Sequence, residues 1–197
     1  HPDSSPLALT DIAYYRDLAQ RAEAGLFDSI FLADTLALGE MIESSASNWL
    51  EPITALGALA GATSRIGLIA TASTSYTEPF NLARQFASLD HISNGRVGWN
   101  IVTSWLAAAA RNYSGDSPIS HADRYARADE FVAVVKALWD SWADDAVLDD
   151  RAAGRYARRD RIRPINHQGP HYSVAGPMNM PRCPQGRPVL VQAGSSD

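Results

Sequence analysis

Four short apolar runs, each turning polar at its C-terminal end and each preceded by a longer amphipathic or irregular segment, constrain this chain more than any other feature. Phe27 to Asp34 (FDSIFLAD), Arg65 to Thr74 (RIGLIATAST), Arg96 to Ser104 (RVGWNIVTS) and Pro188 to Ala193 (PVLVQA) are continuous in hydrophobicity, the pattern of strands covered on both faces. Thr10 to Gly25 reads as a helix, with capping oxygens on Thr10 and Asp11, apolar residues Ile12, Tyr15, Leu18, Ala19 and Ala22 at helical spacing, and Gly25 as a C-cap. Glu51 to Thr63, with Pro52 in its first turn, is a second helix, Pro79 to His91 a third, and Arg124 to Trp142 the longest. Helix and strand alternate four times, which predicts an α/β fold with a parallel sheet covered by helices.

Two architectures fit that alternation. A doubly wound dinucleotide fold needs G-x-G-x-x-G directly after a strand, and the string is absent. A (β/α)8 TIM barrel needs polar residues at the C-terminal ends of successive strands, where Asp34, Thr71 to Thr74, Asn100 to Ser104 and Gly194 to Ser196 fall. The barrel is therefore the expectation. A whole barrel takes about 250 residues and eight strands, so four strands in 197 residues predict a portion of one. Both ends read as cut, since the chain opens at His1 without a Met and stops just after a Gly-Ser turn. Residues 1–197 are expected to form one domain, with residues 143–187 an irregular insertion in which Tyr172 to Met180 make a hairpin.

Composition removes several functions. With 22 acidic and 17 basic residues interspersed and a net charge of -5, no nucleic-acid partner is indicated. The cluster Arg155, Arg158, Arg159, Arg161 and Arg163 contains Asp160 and lacks periodicity, as a solvated excursion does. Cys183 is the single cysteine, which rules out an intrachain disulfide, suits a reducing cytoplasm, and has no neighbour to activate it. No apolar run approaches the roughly 20 residues of a membrane helix, and HPDSSPLALT is not a signal sequence. H-E-x-x-H, C-x-x-C, G-x-S-x-G and P-loop strings are missing, so neither a metal site nor a catalytic triad is expected.

The strand ends hold the candidates. In Arg96 to Ser104 the strand period puts Gly98, Asn100, Val102 and Ser104 on one face and Val97, Trp99, Ile101 and Thr103 on the other. Asn100 either offers an amide that donates and accepts toward a ligand or satisfies loop backbone. Asp34 shares parity with Ile30 and Leu32, so it is expected to point inward with them, or else it caps its loop. Thr71, Ser73, Thr74, Ser195 and Ser196 are hydroxyls at strand ends, where turns bind phosphate or are simply loops. In His121-Ala122-Asp123-Arg124-Tyr125 the start of the long helix suits an anion, with Tyr125 as a donor; the plain alternative has Asp123 capping and Tyr125 packing.

Taken in order, FDSIFLADTLAL, EPITALGALAGATSRIGLIATASTSY, PFNLARQFASLDHISNGRVGWNIVTS, HADRYARADEFVAVVKALWDSW and GPHYSVAGPMNMPRCPQGRPVLVQAGSS cover nearly the whole chain. Together they resemble the bacterial luciferase-like flavin-dependent monooxygenases, in particular the nitrilotriacetate and dibenzothiophene-sulfone monooxygenase group. The resemblance implies a TIM barrel, of which this chain holds about strands 2–5. It implies reduced FMN supplied by a separate NAD(P)H:flavin reductase, and oxygenation of a small organic substrate by O2 through a flavin C4a-hydroperoxide. It assigns Asp34, Thr71, Asn100, Thr103 and Ser104 to the flavin ring and ribityl chain, and Tyr125, Ser195 and Ser196 to the phosphate. It names no catalytic side chain, because the cofactor carries the chemistry, and it implies a cytoplasmic homo-oligomer. The missing dinucleotide fingerprint agrees with an external reductase. Tyr76 and Trp105 are the visible candidates for lining a substrate pocket. A non-catalytic flavin-binding relative and a deazaflavin-dependent oxidoreductase are the competing readings. Without the family's first and last strands, the polypeptide by itself is expected to be inactive, with sheet edges unpaired.

Overall fold

In chain order, a 3-10 turn at Pro6–Thr10 leads into α1 (Ile12–Ala24), β1 (Ser29–Leu32), α2 (Pro52–Ala60), β2 (Gly67–Ser73), α3 (Pro79–Ser93) and β3 (Val97–Val102). Then follow α4 (Ala107–Asn112) and α5 (His121–Trp139). Two small antiparallel pairs come next, β4 (Val147–Asp150) with β5 (Arg155–Ala157) and β6 (His167–Gln168) with β7 (Ser173–Val174), and β8 (Val189–Val191) comes last. The structure is a computed structural model and describes residues 4–44, 46, 49–104, 106–115 and 119–193.

The four apolar runs form one parallel sheet in the order β1-β2-β3-β8, so each strand lies beside the next in sequence. Leu68 is in register with Val97, Ala70 with Trp99 and Thr71 with Asn100. One face of the sheet packs on the helices. Trp99, fully buried, lies 5.8 Å from Phe86, 5.9 Å from Phe131 and 6.4 Å from Trp139, ring centre to ring centre. Both indoles satisfy their N–H groups on backbone, Trp99 Nε1 on the Ala72 carbonyl at 3.1 Å and Trp139 Nε1 on that of Ala83 at 3.0 Å. Leu68, Ala70, Val97 and Trp99 therefore face the helices, while Ile69, Thr71, Gly98 and Asn100 alternate to the opposite face, as a period of two requires.

Some expected boundaries move for identifiable reasons. The long helix begins at His121, capped by Ser120, whose Oγ accepts from the Asp123 N–H at 3.2 Å; Asp123 is not the cap but binds back to the Ser120 hydroxyl. It ends at Trp139, because Trp142 instead donates its Nε1 to the Met178 carbonyl at 2.8 Å. Glu51 is the cap of α2 and accepts from Ile53 N and Thr54 N. The antiparallel pairing near Tyr172 lies upstream of the expected hairpin, joining His167 to Val174. Its turn is pinned by Glu130, which accepts from His167 Nε2 and from the backbone N–H groups of His171 and Tyr172 at 2.9 to 3.0 Å. Burial works against the charge on Glu130, but these three donors outweigh it and lower its pKa. Helix α4 was not expected, because six residues, AAAARN, are too short to show an amphipathic period.

At the end of the sheet where the strands begin, two charged side chains bind backbone. Glu23 Oε1 accepts from the N–H groups of Ser64, Arg65 and Ile66 at 2.5 to 2.9 Å, just before β2. Arg96 donates to the carbonyls of Ala60, Thr63, Ile66 and Ser93 and to the Thr63 hydroxyl, satisfying groups left open where α2 and α3 end. The three backbone donors hold the Glu23 carboxyl down at about 2, from an ordinary 4.5. Because the folded value is depressed, its contribution to stability is present above the ordinary carboxyl range and is lost as pH falls toward 2. Glu23→Gln should therefore lower the denaturation midpoint at pH 7, and the gap from the unsubstituted protein should narrow as the pH is lowered through 4 and 3. A gap of the same size at every pH would refute this assignment.

Away from these anchors, Arg158 and Arg161 both pair with Asp145 on the surface, so part of the arginine cluster is matched by charge within its own loop. Cys183 is buried, and burial foremost, with the nearby Asp90 charge, pushes its thiol up to about 12. Such a thiol stays protonated and inert at neutral pH. Among the described residues no helix is long and apolar enough to cross a membrane.

Candidate functional site

The opposite, C-terminal end of the sheet opens into a cavity of about 430 Å3. Thr71 and Ser73 of β2, Ile101 and Val102 of β3, and Thr103 and Ser104 just beyond it form one side. Asp34 and Thr35 after β1, Gln192 and Ala193 after β8, and His121, Arg124 and Tyr125 of α5 close the others. Strand ends and one helix start thus meet at a single hollow, the arrangement that barrels use for binding.

Register fixes its polar floor. Thr71 and Asn100 are strand partners on the face away from the helices, and Asn100 Nδ2 donates to Thr71 Oγ1 at 3.0 Å. Asn100 is 3% exposed and its Oδ1 has no hydrogen-bond partner, so a buried amide oxygen is left unsatisfied on the strand neighbour of Thr71, which itself lines the cavity. Above this pair, Ser104 Oγ donates to Ser73 Oγ at 2.8 Å. Arg124 reaches back from α5 to donate to the Thr103 and Ser104 carbonyls at 3.4 and 3.1 Å, which locks the end of β3 to the helix start. His121 stacks on Tyr125 at 4.6 Å between ring centres. Gly98 lets the strands approach closely: a Cβ there would come within 3.2 Å of Ile69 Cγ1.

Asp34 reaches the cavity by a different route from the one its parity implies. Ile30 and Leu32 pack on the helix side, in register with Leu68 and Ala70. β1 stops at Leu32, the alternation lapses there, and Asp34 turns to the cavity mouth, where it accepts from Thr35 N at 2.8 Å. Burial raises its pKa, the Thr35 hydrogen bond opposes that, and the charge of Glu51 adds to it.

The structure thus brings Asp34, Thr71, Thr103, Ser104 and Tyr125 to one cavity, whereas Asn100 does not line it and is joined to it through its hydrogen bond to Thr71. Ser195, Ser196 and Trp105 lie outside the described residues. Sequence reasoning passed over Arg124 and Gln192 as site residues, although Arg124 stands beside Tyr125 in the helix-start string and Gln192 closes the last apolar run. It could not place Leu106 and Ala109, which depend on α4.

This arrangement can be set beside known proteins. The profile of the luciferase-like monooxygenases matches residues 1–197. The chain belongs to this family. Its relatives include N-acetyl-S-(2-succino)cysteine monooxygenase of Bacillus subtilis (strain 168), 50% identical over 196 residues that make up 100% of this chain and 44% of that protein. Nitrilotriacetate monooxygenase component A of Aminobacter aminovorans is 50% identical over 208 residues, 100% of this chain and 46% of that protein. A crystal structure of riboflavin lyase with modified FMN and riboflavin superposes with a TM-score of 0.93 at 37% identity, covering 100% of this chain and 46% of that one. The chain spans about half the length of the relatives it matches. As a member of this luciferase-like family it has the TIM-barrel fold, and its four parallel strands are a portion of that barrel.

Proposed function

We propose that the protein is a monooxygenase that uses reduced FMN, delivered by a separate NAD(P)H:flavin reductase, to oxygenate a small organic substrate in the cytoplasm. The observation that carries this reading is the buried Asn100 amide, whose Nδ2 is held by the cavity-lining Thr71 while its Oδ1 stays unpartnered. A flavin ring presents carbonyls and N–H groups along one edge, and an amide together with hydroxyls is the donor set that matches such an edge. In this reading Asp34, Thr71, Asn100, Thr103 and Ser104 hold the ring and ribityl chain. Tyr125, with Ser195 and Ser196, holds the phosphate near the start of α5, where helix N–H groups favour an anion.

Reduced FMN, when bound, supplies the two electrons needed to transfer one atom of O2 to the substrate and release the other as water. The protein's own residues position and shield. Arg124 fixes the strand end that carries Thr103 and Ser104, and the Ser73–Ser104 pair keeps both hydroxyls at the cavity wall. Leu106 and Ala109 add an apolar side that limits water. The designation of the nitrilotriacetate relative as a component A supports a separate reductase, and the FMN in the riboflavin lyase structure supports the cofactor. Both relatives at 50% identity are named for small acids bearing several carboxylates.

The test supplies the full-length protein with FMN, NADH, a flavin reductase and 18O2, and offers nitrilotriacetate and N-acetyl-S-(2-succino)cysteine as substrates. One 18O atom is expected in the product, with turnover strictly dependent on reductase. Equilibrium dialysis should show tighter binding of reduced than of oxidised FMN. Tight binding of oxidised flavin with no label in any product would instead mark a flavin carrier.

A further inference from the structure

A second cavity, of about 420 Å3, lies on the same end of the sheet beside the first, lined among others by Ser75, Tyr76, Glu78, Asn112, Tyr113 and Arg127. Helix α4 stands between the two: Ala109 faces the first cavity and Asn112 the second. Ser73 also connects them. Ser73 lines the first cavity and accepts from the Ser75 N–H at 3.1 Å, while the Ser73 carbonyl accepts from Thr77 Oγ1 at 2.6 Å, which shapes the loop that walls the second.

Three residues of this cavity each carry a buried polar atom with no hydrogen-bond partner: Ser75 Oγ, Tyr76 Oη and Arg127 Nε. An unpaired buried donor costs about 1–3 kcal/mol, and these three belong to residues that line one hollow. Ser75 is 8% exposed, so its hydroxyl has little access to bulk water. Arg127 is held in place: its guanidinium lies 5.2 Å from the centre of the Tyr172 ring and donates through Nη2 to the Tyr172 hydroxyl at 3.1 Å. Tyr172 is in turn tied to the Thr74 carbonyl at 3.4 Å, next to Ser75. Among the described residues no carboxylate forms a salt bridge with Arg127. Tyr76 and Tyr113 stack at 4.8 Å and give the cavity one flat aromatic wall. Glu78 also lines the cavity and is exposed, so its charge opposes a bound anion but is screened by solvent.

We propose that this cavity binds a carboxylate group of the substrate, received by Arg127, Tyr76 and Ser75, so that a multiply carboxylated acid is held here while its reacting carbon extends toward the first cavity. Three donors of which one is a fixed guanidinium suit a carboxylate, which accepts several hydrogen bonds through two oxygens. The size lies within the range of small-molecule sites. The reading rests on the proposed oxygenase function for its catalytic meaning, but the binding site stands or falls separately.

Calorimetric titration of the full-length protein with nitrilotriacetate, succinate and N-acetyl-S-(2-succino)cysteine tests it. At least one should bind to the unsubstituted protein, and the corresponding amides should not. Arg127→Met should weaken that binding at least tenfold and Tyr76→Phe, which keeps the ring stack, about threefold or more, with the affinity for reduced FMN unchanged in both. In turnover the loss should fall on KM and spare kcat. Failure of all three acids to bind, equal binding to the variants, or an equal loss of flavin affinity would overturn the proposal. Carboxylate binding that depends on Arg127 and Tyr76, without oxygenation of any acid, would keep the site and defeat the monooxygenase reading.

Discussion

Asn100→Ala should weaken the binding of reduced FMN about ten- to a hundredfold, by the loss of one or two buried hydrogen bonds worth about 1.5–3 kcal/mol together. The expectation follows from an asymmetry in how the amide is satisfied. Nδ2 already has Thr71 Oγ1 as acceptor, while Oδ1 is buried without a donor, so the folded protein carries an unfilled acceptor where a ligand N–H would fill it. Removing the side chain removes that unsatisfied oxygen as well, and stability should fall by only about 1 kcal/mol. An anaerobic titration of reduced FMN, followed by a thermal melt of the same samples, separates the two effects. Unchanged flavin affinity in a folded Asn100→Ala protein would show that the amide serves only to hold Thr71.

Trp99→Ala should destabilise the fold by about 3–5 kcal/mol, the usual cost of emptying a large aromatic site in a core. Trp99 is the point where β3, α3 and α5 meet, through Phe86, Phe131 and Trp139, and its N–H closes on the Ala72 carbonyl of β2. Domains are commonly stable by about 5–15 kcal/mol, so the variant should be partly unfolded at physiological temperature. Trp99→Phe keeps most of the volume and loses the hydrogen bond, and should cost about 1–2 kcal/mol. Urea denaturation of the three proteins gives the ranking. A loss below about 1 kcal/mol for Trp99→Ala would contradict the packing described.

The two substitutions concern neighbouring residues of one strand, and they show which parts of the molecule were legible beforehand. Continuous apolar runs announced β1, β2, β3 and β8, because strands covered on both faces need no alternation, and the period of two separated Trp99 from Asn100 correctly. Parity failed at Asp34, since it describes a residue only while the strand lasts, and β1 ends two residues earlier. Helix α4 was invisible because four consecutive alanines carry no periodic signal, and its place is set by tertiary contacts such as Asn112 Nδ2 on the Leu36 carbonyl. The start of α5 needed a local detail, the Ser120 hydroxyl on the Asp123 N–H, which competes with Asp123 for the same role. Tyr76 was readable as a candidate for lining a pocket, whereas Arg127 carried no signal of its own. The place of Arg127 depends on Tyr172, distant in sequence, and only the folded chain brings Arg127 and Tyr76 to one cavity.

Glu23 and Arg96 grip backbone at the end of the sheet remote from both cavities. None of the atoms they hold belongs to a residue that lines either hollow, so the grip is indifferent to what occupies the mouth. Changes in the loops after the strands therefore leave this anchor untouched. Anchoring and binding are thereby separated to opposite ends of the same strands.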